Sequence, residues 1–208
     1  MLSVRFSQGI TMSVDALAKI SDRYQTAVFF HLEAAALFRL LAMPGYAVLH
    51  EYQAIDESDT ARRLKAFTIG HCQAVKPDMP PEESNLIEPL TGGKRGGFDV
   101  MEAVKEAWIA YEKWESDTLA LYSKIALDLL DSGDVAAYEF VSCIVKDVSS
   151  ELAGVRDTIT ALDGIGWDLP TIAQEQKELA ELYEGKIKKL HKEYKNYHHH
   201  NSRGGNAE

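Results

Sequence analysis

The chain has 208 residues, with 22 basic against 32 acidic side chains and a net charge of −10. That balance argues against a nucleic-acid footprint and suits cations. At 46% hydrophobic and 26% charged the composition is that of an ordinary globular protein, and no apolar run nears the ~18 residues of a membrane span.

The chain opens with MLSVRFSQGI, which has one Arg and no long apolar core and so does not read as a secretory signal. Met12 offers a second start, and residues 1–12 are expected to form a loose N-terminal arm. Two cysteines, Cys72 and Cys143, are too few for a disulfide framework. They are read as small buried thiols in a reducing, cytoplasmic setting.

Proline and glycine then divide the chain. Breaks fall at Pro44-Gly45, across 76–97 with four prolines and four glycines, at Ser132-Gly133-Asp134, and at 163–170. The stretches between them lack strand-like alternation and predict five helices, over 13–43, 46–73, 99–131, 134–163 and 170–197. Asp99 with Glu102 fits a capping box, Asp134 after Gly133 fits an N-cap, and Asp168 with Pro170 marks the start of the last helix.

Tight turns make the first two helices one antiparallel hairpin and the next two another. The link between the hairpins, about 25 residues, can run the length of helices that are roughly 40–50 Å long. Two hairpins joined by a long crossover are the expected architecture. A disordered loop inside an up-and-down bundle is the alternative. Residues 13–163 form the expected bundle, 164–197 a C-terminal helix and 198–208 a disordered tail.

The faces come next. In the third helix Val104, Trp108, Tyr111, Glu115, Thr118, Tyr122, Ile125 and Leu129 follow alternating three- and four-residue steps, an inward seam with Glu115 in its middle. The second helix repeats this with Ala54, Glu57, Ala61, Leu64 and Thr68. In the fourth, Phe140, Ile144, Asp147, Glu151 and Thr158 share a face beside the stripe Val141, Val145, Val148, Leu152 and Val155. In the first, Phe30, Glu33, Leu37 and Leu40 align, and His31 lies on the neighbouring stripe Ala27, His31, Ala34, Phe38. Residues 27–43 are apolar nearly all round, so a spare face is expected to meet a second copy of the chain.

Residues equally far from a tight turn lie at equal depth. Glu33 and Glu57 are each twelve residues from Gly45, and Glu115 and Glu151 are each eighteen from Gly133. Each hairpin therefore sets two glutamates level. Carboxylates gathered in a bundle interior repel unless protonated or bound to a cation. The competing reading is structural ion pairing with Arg39, Arg62, Arg63 or Lys146.

Several segments together resemble the ferritin-like superfamily. Gly45 followed by the run from Asp56 and Glu57 to Leu64 is similar to the second helix of ferritins, Phe98-Asp99 with Glu102-Ala103 to the opening of the third, and Asp134, Phe140 and Asp147 to Glu151 to the fourth. The resemblance implies a ferritin-like four-helix bundle, here with an added fifth helix. It also implies a homo-oligomer and an iron site, in the family a di-iron one. Carried over, Glu33, Glu57 and Glu115 match the family's ligands on the first three helices. Glu112 competes one turn before Glu115, and Asp147 or Glu151 serves on the fourth helix. The implied activity is that of a ferroxidase: Fe²⁺ binding, oxidation by O₂ or peroxide, and transfer to a mineral core. The sequence departs from the family at Thr60, where a histidine is expected after Glu57. Its alternative is a structural or interaction protein of the same fold with a decayed site. His31 is read as a substitute ligand or partner of one, although His31, His50 and His71 also suit plain packing or surface roles. Thr91 to Gly97 lacks phosphate-loop spacing and reads as part of the crossover. His198-His199-His200 reads as an adventitious metal binder in the tail.

Overall fold

The structure is a computed structural model that describes residues 2–77, 79, 85–92 and 96–203, with side chains from 13 to 192 within those ranges. Among the described residues it is all-helical: α1 (Leu2–Leu40), α2 (Pro44–Cys72), α3 (Ile87–Thr91), α4 (Val100–Asp131), α5 (Val135–Gly164) and α6 (Leu169–Arg203).

The chemistry of the turns explains these bounds. Asp99 accepts from the Glu102 amide and Asp134 from the Ala137 amide, each satisfying an orphan donor of its helix. Asp168 accepts from the Thr171 amide and hydroxyl at the start of α6. At the end of α4, Gly133 takes φ of 82° and the Asp134 amide reaches back to the Leu129 carbonyl, which reverses the chain at once. Two expectations about the ends change. Helix α1 begins at Leu2, so residues 2–12 continue its backbone instead of forming a loose arm, and α6 runs on to Arg203. The side chains of His198 to His200 and residues 204–208 lie outside the described residues.

Two apolar clusters fill the bundle. One joins Phe30, Leu37, Phe38, Tyr46, Val104, Trp108, Val155 and Leu162, together with Trp167 and Ile172. The other joins Val14, Leu17, Ile20, Leu64, Tyr122, Ile125, Leu129, Val141 and Val148. Each fully buried Leu or Phe among them contributes about 1.5–3 kcal/mol. Helices α2 and α4 both start in the first cluster and end in the second, whereas α1 and α5 run the other way. Because α2 and α4 are parallel, the segment between them has to traverse the bundle.

That segment is clipped along α1. Lys76 pairs with Asp15, the Met79 amide donates to Asp22, and the Leu86 and Ile87 amides donate to Glu33 Oε1 at 2.7 and 3.4 Å. These anchors span eighteen residues of helix, about 27 Å. The segment is a crossover, and the up-and-down alternative is excluded. Its short helix α3 was not expected.

Helix α6 packs on α2. Its contact face carries Ile172, Gln176, Leu179, Tyr183, Ile187 and Leu190, while Leu182 is exposed. Gln176 Oε1 accepts from the Tyr46 amide, an orphan donor at the start of α2 that Met43 leaves uncapped. The approach is close enough to require glycine. A Cβ on Gly45 would lie 2.7 Å from the Gln176 carbonyl oxygen and 2.9 Å from Leu179 Cβ. A backbone oxygen cannot rotate aside, so Gly45→Ala is expected to push α6 off and destabilise the protein by about 1–3 kcal/mol. Urea denaturation, with proteolysis mapping of α6, checks this; an unchanged midpoint would show that α6 does not need the close contact.

Cys72 is buried as expected, but Cys143 is exposed on α5, because it falls outside the seam of Val141, Ile144 and Val148.

Candidate metal centre

Between the two apolar clusters the bundle carries a polar layer. All eight residues of the α4 seam, including Glu115, are buried. Glu115 is held there because Tyr111, Thr118 and Tyr122, four residues before it and three and seven after, commit that side of α4 to the interior. Glu57, on the same seam as Ala54 and Leu64, faces it from α2, with its side chain 12% exposed. His31 comes from α1 and is fully buried. One ligand atom from each of His31, Glu57 and Glu115 falls within 4.8 Å of the other two. His31 Nε2 lies 4.0 Å from Glu57 Oε1.

Two of these groups have unmet polar atoms. His31 Nε2 and Glu115 Oε1 are buried with no hydrogen-bond partner among the described residues. Unsatisfied buried polar atoms are rare and costly, and two in one cluster need a reason.

The electrostatics point the same way. Burial, with Glu151 adding repulsion, raises the Glu115 carboxyl to about 8. Burial followed by the charges of Glu151 and Glu115 holds Glu57 well above the usual carboxylate range. Glu151 is raised to about 7, by burial first and then by Asp56 and Asp147. Burial drives His31 down to about 3. The layer is therefore poised to hold neutral groups or a cation. Arg23 supplies the opposing charge on Glu57 and Glu115 and is itself fixed elsewhere, stacked 3.4 Å over Trp114 and donating to Thr118 at 2.8 Å.

An imidazole with two carboxylates is a donor set for a divalent first-row metal, and its two negative charges balance the ion. The residues present fit such an ion. Held there, it would satisfy both orphan atoms at once.

No family model matches the sequence, and no curated protein matches it. Solved structures do. The open-pore ferritin of the archaeon Archaeoglobus fulgidus superposes with a TM-score of 0.63 at 18% identity, over 81% of this chain and 94% of that chain. A humanized archaeal ferritin and an engineered closed form of the Archaeoglobus fulgidus ferritin give the same values. The fold is ferritin-like.

Within this ferritin-like bundle the carboxylates expected from sequence separate into two groups. Glu57 and Glu115 meet in the polar layer, and Glu151 stands beside them as the main charged neighbour of Glu115. Glu33 does not join them. It sits two residues beyond His31, a rotation of about 200° around the helix, and it holds the crossover through the Leu86 and Ile87 amides. Asp147 is exposed, because Ile144 and Val148 turn the buried face of α5 away from it. Glu112 pairs with Arg156 at 2.8 Å on the surface. Of the cations expected to pair with buried carboxylates, Arg39 bonds Glu51 and both Arg62 and Arg63 bond Asp59.

Sequence reasoning gave His31 a secondary place and did not connect it with His50 or Tyr111. His50, fully buried, lies with its Nδ1 2.9 Å from His31 Nδ1. Tyr111 stands edge-on to His31 and accepts from Gln53 at 3.0 Å. The available signal was the stripe Ala27, His31, Ala34, Phe38, in which the histidine is flanked only by core residues. A groove of about 360 Å³ reaches this layer from outside, lined by Gln53, Tyr111, Glu151, Tyr52 and Tyr183 among others, with α6 supplying Tyr183.

Among the described residues no helix is long and apolar enough to cross a membrane.

Proposed function

We propose that this chain is a ferritin-like protein that takes up ferrous iron, as substrate or cargo, at His31, Glu57 and Glu115, for oxidation or storage. Glu151 lies beside this set and lines the groove. The observation that carries the reading is the pair of orphaned buried atoms, His31 Nε2 and Glu115 Oε1, in one cluster of ligand atoms. The ferritin neighbours support iron in preference to other divalent ions. Three clustered donors suit one ion; a second would draw on Glu151.

The same reading includes assembly of identical chains. On α1, Phe29 is 51% and Leu32 49% exposed. Leu32 lines a groove of about 660 Å³ with Val28, Ala54, Ile55 and Ile187, rimmed by Glu51, Asp59 and Arg62. This is the spare apolar face that the sequence assigns to a second copy.

Anaerobic reconstitution with Fe²⁺, followed by elemental analysis and native mass measurement of protein lacking the terminal His run, tests both parts. One or two irons per chain in an oligomer are expected. A chain that retains no iron would favour the alternative, a structural or interaction protein with a decayed site. A monomer would remove the storage reading.

A further inference from the structure

We propose that His50 is a positioning residue for the iron site: it accepts the Nδ1–H of His31 and so leaves the His31 Nε2 lone pair facing Glu57 and Glu115. The inference rests on the cation-site reading above and adds a residue that touches no ligand itself.

His50 is fully buried on α2, where its Nδ1 lies 2.9 Å from His31 Nδ1. Its Nε2 has no hydrogen-bond partner among the described residues. Aromatic rings fix the rest of the imidazole: Phe38 stacks on it at 5.3 Å and 9°, and Tyr111 meets it at 4.9 Å and 62°. For packing alone a phenylalanine or leucine would serve without burying two ring nitrogens, a burial that is unfavourable unless they are bonded. The contact with His31 is what the imidazole adds.

The geometry of that contact limits the protons. Two Nδ1 lone pairs, or two Nδ1–H groups, would repel at 2.9 Å. One ring has to donate and the other accept. If His50 donates, His31 carries its remaining proton on Nε2, aimed into the carboxylates and unable to ligate. If His31 donates, its Nε2 lone pair is free for the ion and His50 carries its proton on Nε2. Passing from the first arrangement to the second shifts the bridging proton from His50 Nδ1 to His31 Nδ1 and moves the outer proton from His31 Nε2 to His50 Nε2, so each ring keeps one proton. A hydrogen bond from the far nitrogen of a ligating histidine fixes its tautomer and ring angle. Here a second histidine occupies the place usually filled by a carboxylate or a carbonyl.

The test uses full-length protein with ¹⁵N-labelled histidine and Zn²⁺ as a diamagnetic probe. In the Zn²⁺-loaded protein, His31 should show a coordinated Nε2 and a protonated Nδ1, and His50 a protonated Nε2. His50→Phe, which keeps the stacking and removes the acceptor, should weaken Zn²⁺ binding by about 10–100-fold. His50→Gln, which restores an acceptor, should recover most of that loss. Zn²⁺ bound through His31 Nδ1, or a His50→Phe variant that binds like the native chain, would overturn the proposal and leave the site standing. A native chain that binds no Zn²⁺ would instead remove the site and His50's role with it. Should His50→Phe fail to fold, the ring shifts of the native protein decide alone.

Discussion

Glu115→Gln is expected to make the metal-free protein more stable at pH 8 and to abolish its stabilisation by metal. Glu115 is buried, lies against Glu57 and Glu151, and has a carboxyl raised to about 8. At pH 8 the native protein therefore holds a partly charged carboxylate in a site that disfavours it. The neutral amide removes that penalty, a gain of about 2–4 kcal/mol at roughly 1.4 kcal/mol per pKa unit. The same change removes one of the two charged ligands. The native chain should gain about 2.7 kcal/mol when free metal exceeds its dissociation constant a hundredfold, and the variant essentially nothing. Denaturant titrations at pH 8 in chelator and in Zn²⁺ give both numbers. A variant less stable than the native chain in chelator would show that Glu115 is satisfied as it stands, and the argument for a cation would lose its main support.

Metal-free protein should be most stable in a narrow acidic window and should lose stability on both sides of it. His31, at about 3, and His50, well below its usual value, are both depressed by burial. The unfolded chain binds protons at these groups below about 6.5 while the folded chain does not, so this contribution falls as pH drops from there. The carboxylates act in the opposite sense. Glu115 at about 8, Glu151 at about 7 and Glu57 well above its ordinary value keep their protons in the folded state when the unfolded chain has lost them. Their contribution is complete below about 4.5 and is lost as pH rises through 7 and 8. Three carboxyls outweigh two histidines above about 4.5–5, so the two trends leave a maximum at about pH 5. Metal replaces the protons on the carboxylates, so its affinity should climb by about tenfold or more from pH 6 to 8, with one to two protons released per ion near neutrality. Thermal scans from pH 4 to 9 in chelator, and calorimetry in buffers of different ionisation enthalpy, measure the two effects. A flat profile between pH 6 and 8 would mean that these carboxyls are already ionised in the folded protein, as they are in the unfolded chain.

The seam of α4 was readable in full, because eight side chains at alternating three- and four-residue steps leave no second way to orient the helix. The caps at Asp99 and Asp134 were readable too, since each depends on one side chain and the amide three residues on. The pairing of helices across tight turns was less informative. Counting from a turn gives depth along the bundle and nothing about direction around the helix. Glu33 and His31 differ by half a turn in depth and point to opposite sides, so the count by itself does not choose between them. On α5, two neighbouring stripes satisfied the same spacing, and only the packed structure shows Glu151 half-buried and Asp147 outside. The contact between His31 and His50 joins residues whose ring rotations no periodicity describes.

The two apolar clusters each draw on α1, α2, α4 and α5, and the polar layer lies between them. Each end of the bundle thus has its own packed interior, and neither depends on what the middle contains. A waist of that kind can exchange its chemistry while the ends keep the architecture. Chains of this design can drift from one cargo to another, or to none, without becoming unfoldable on the way.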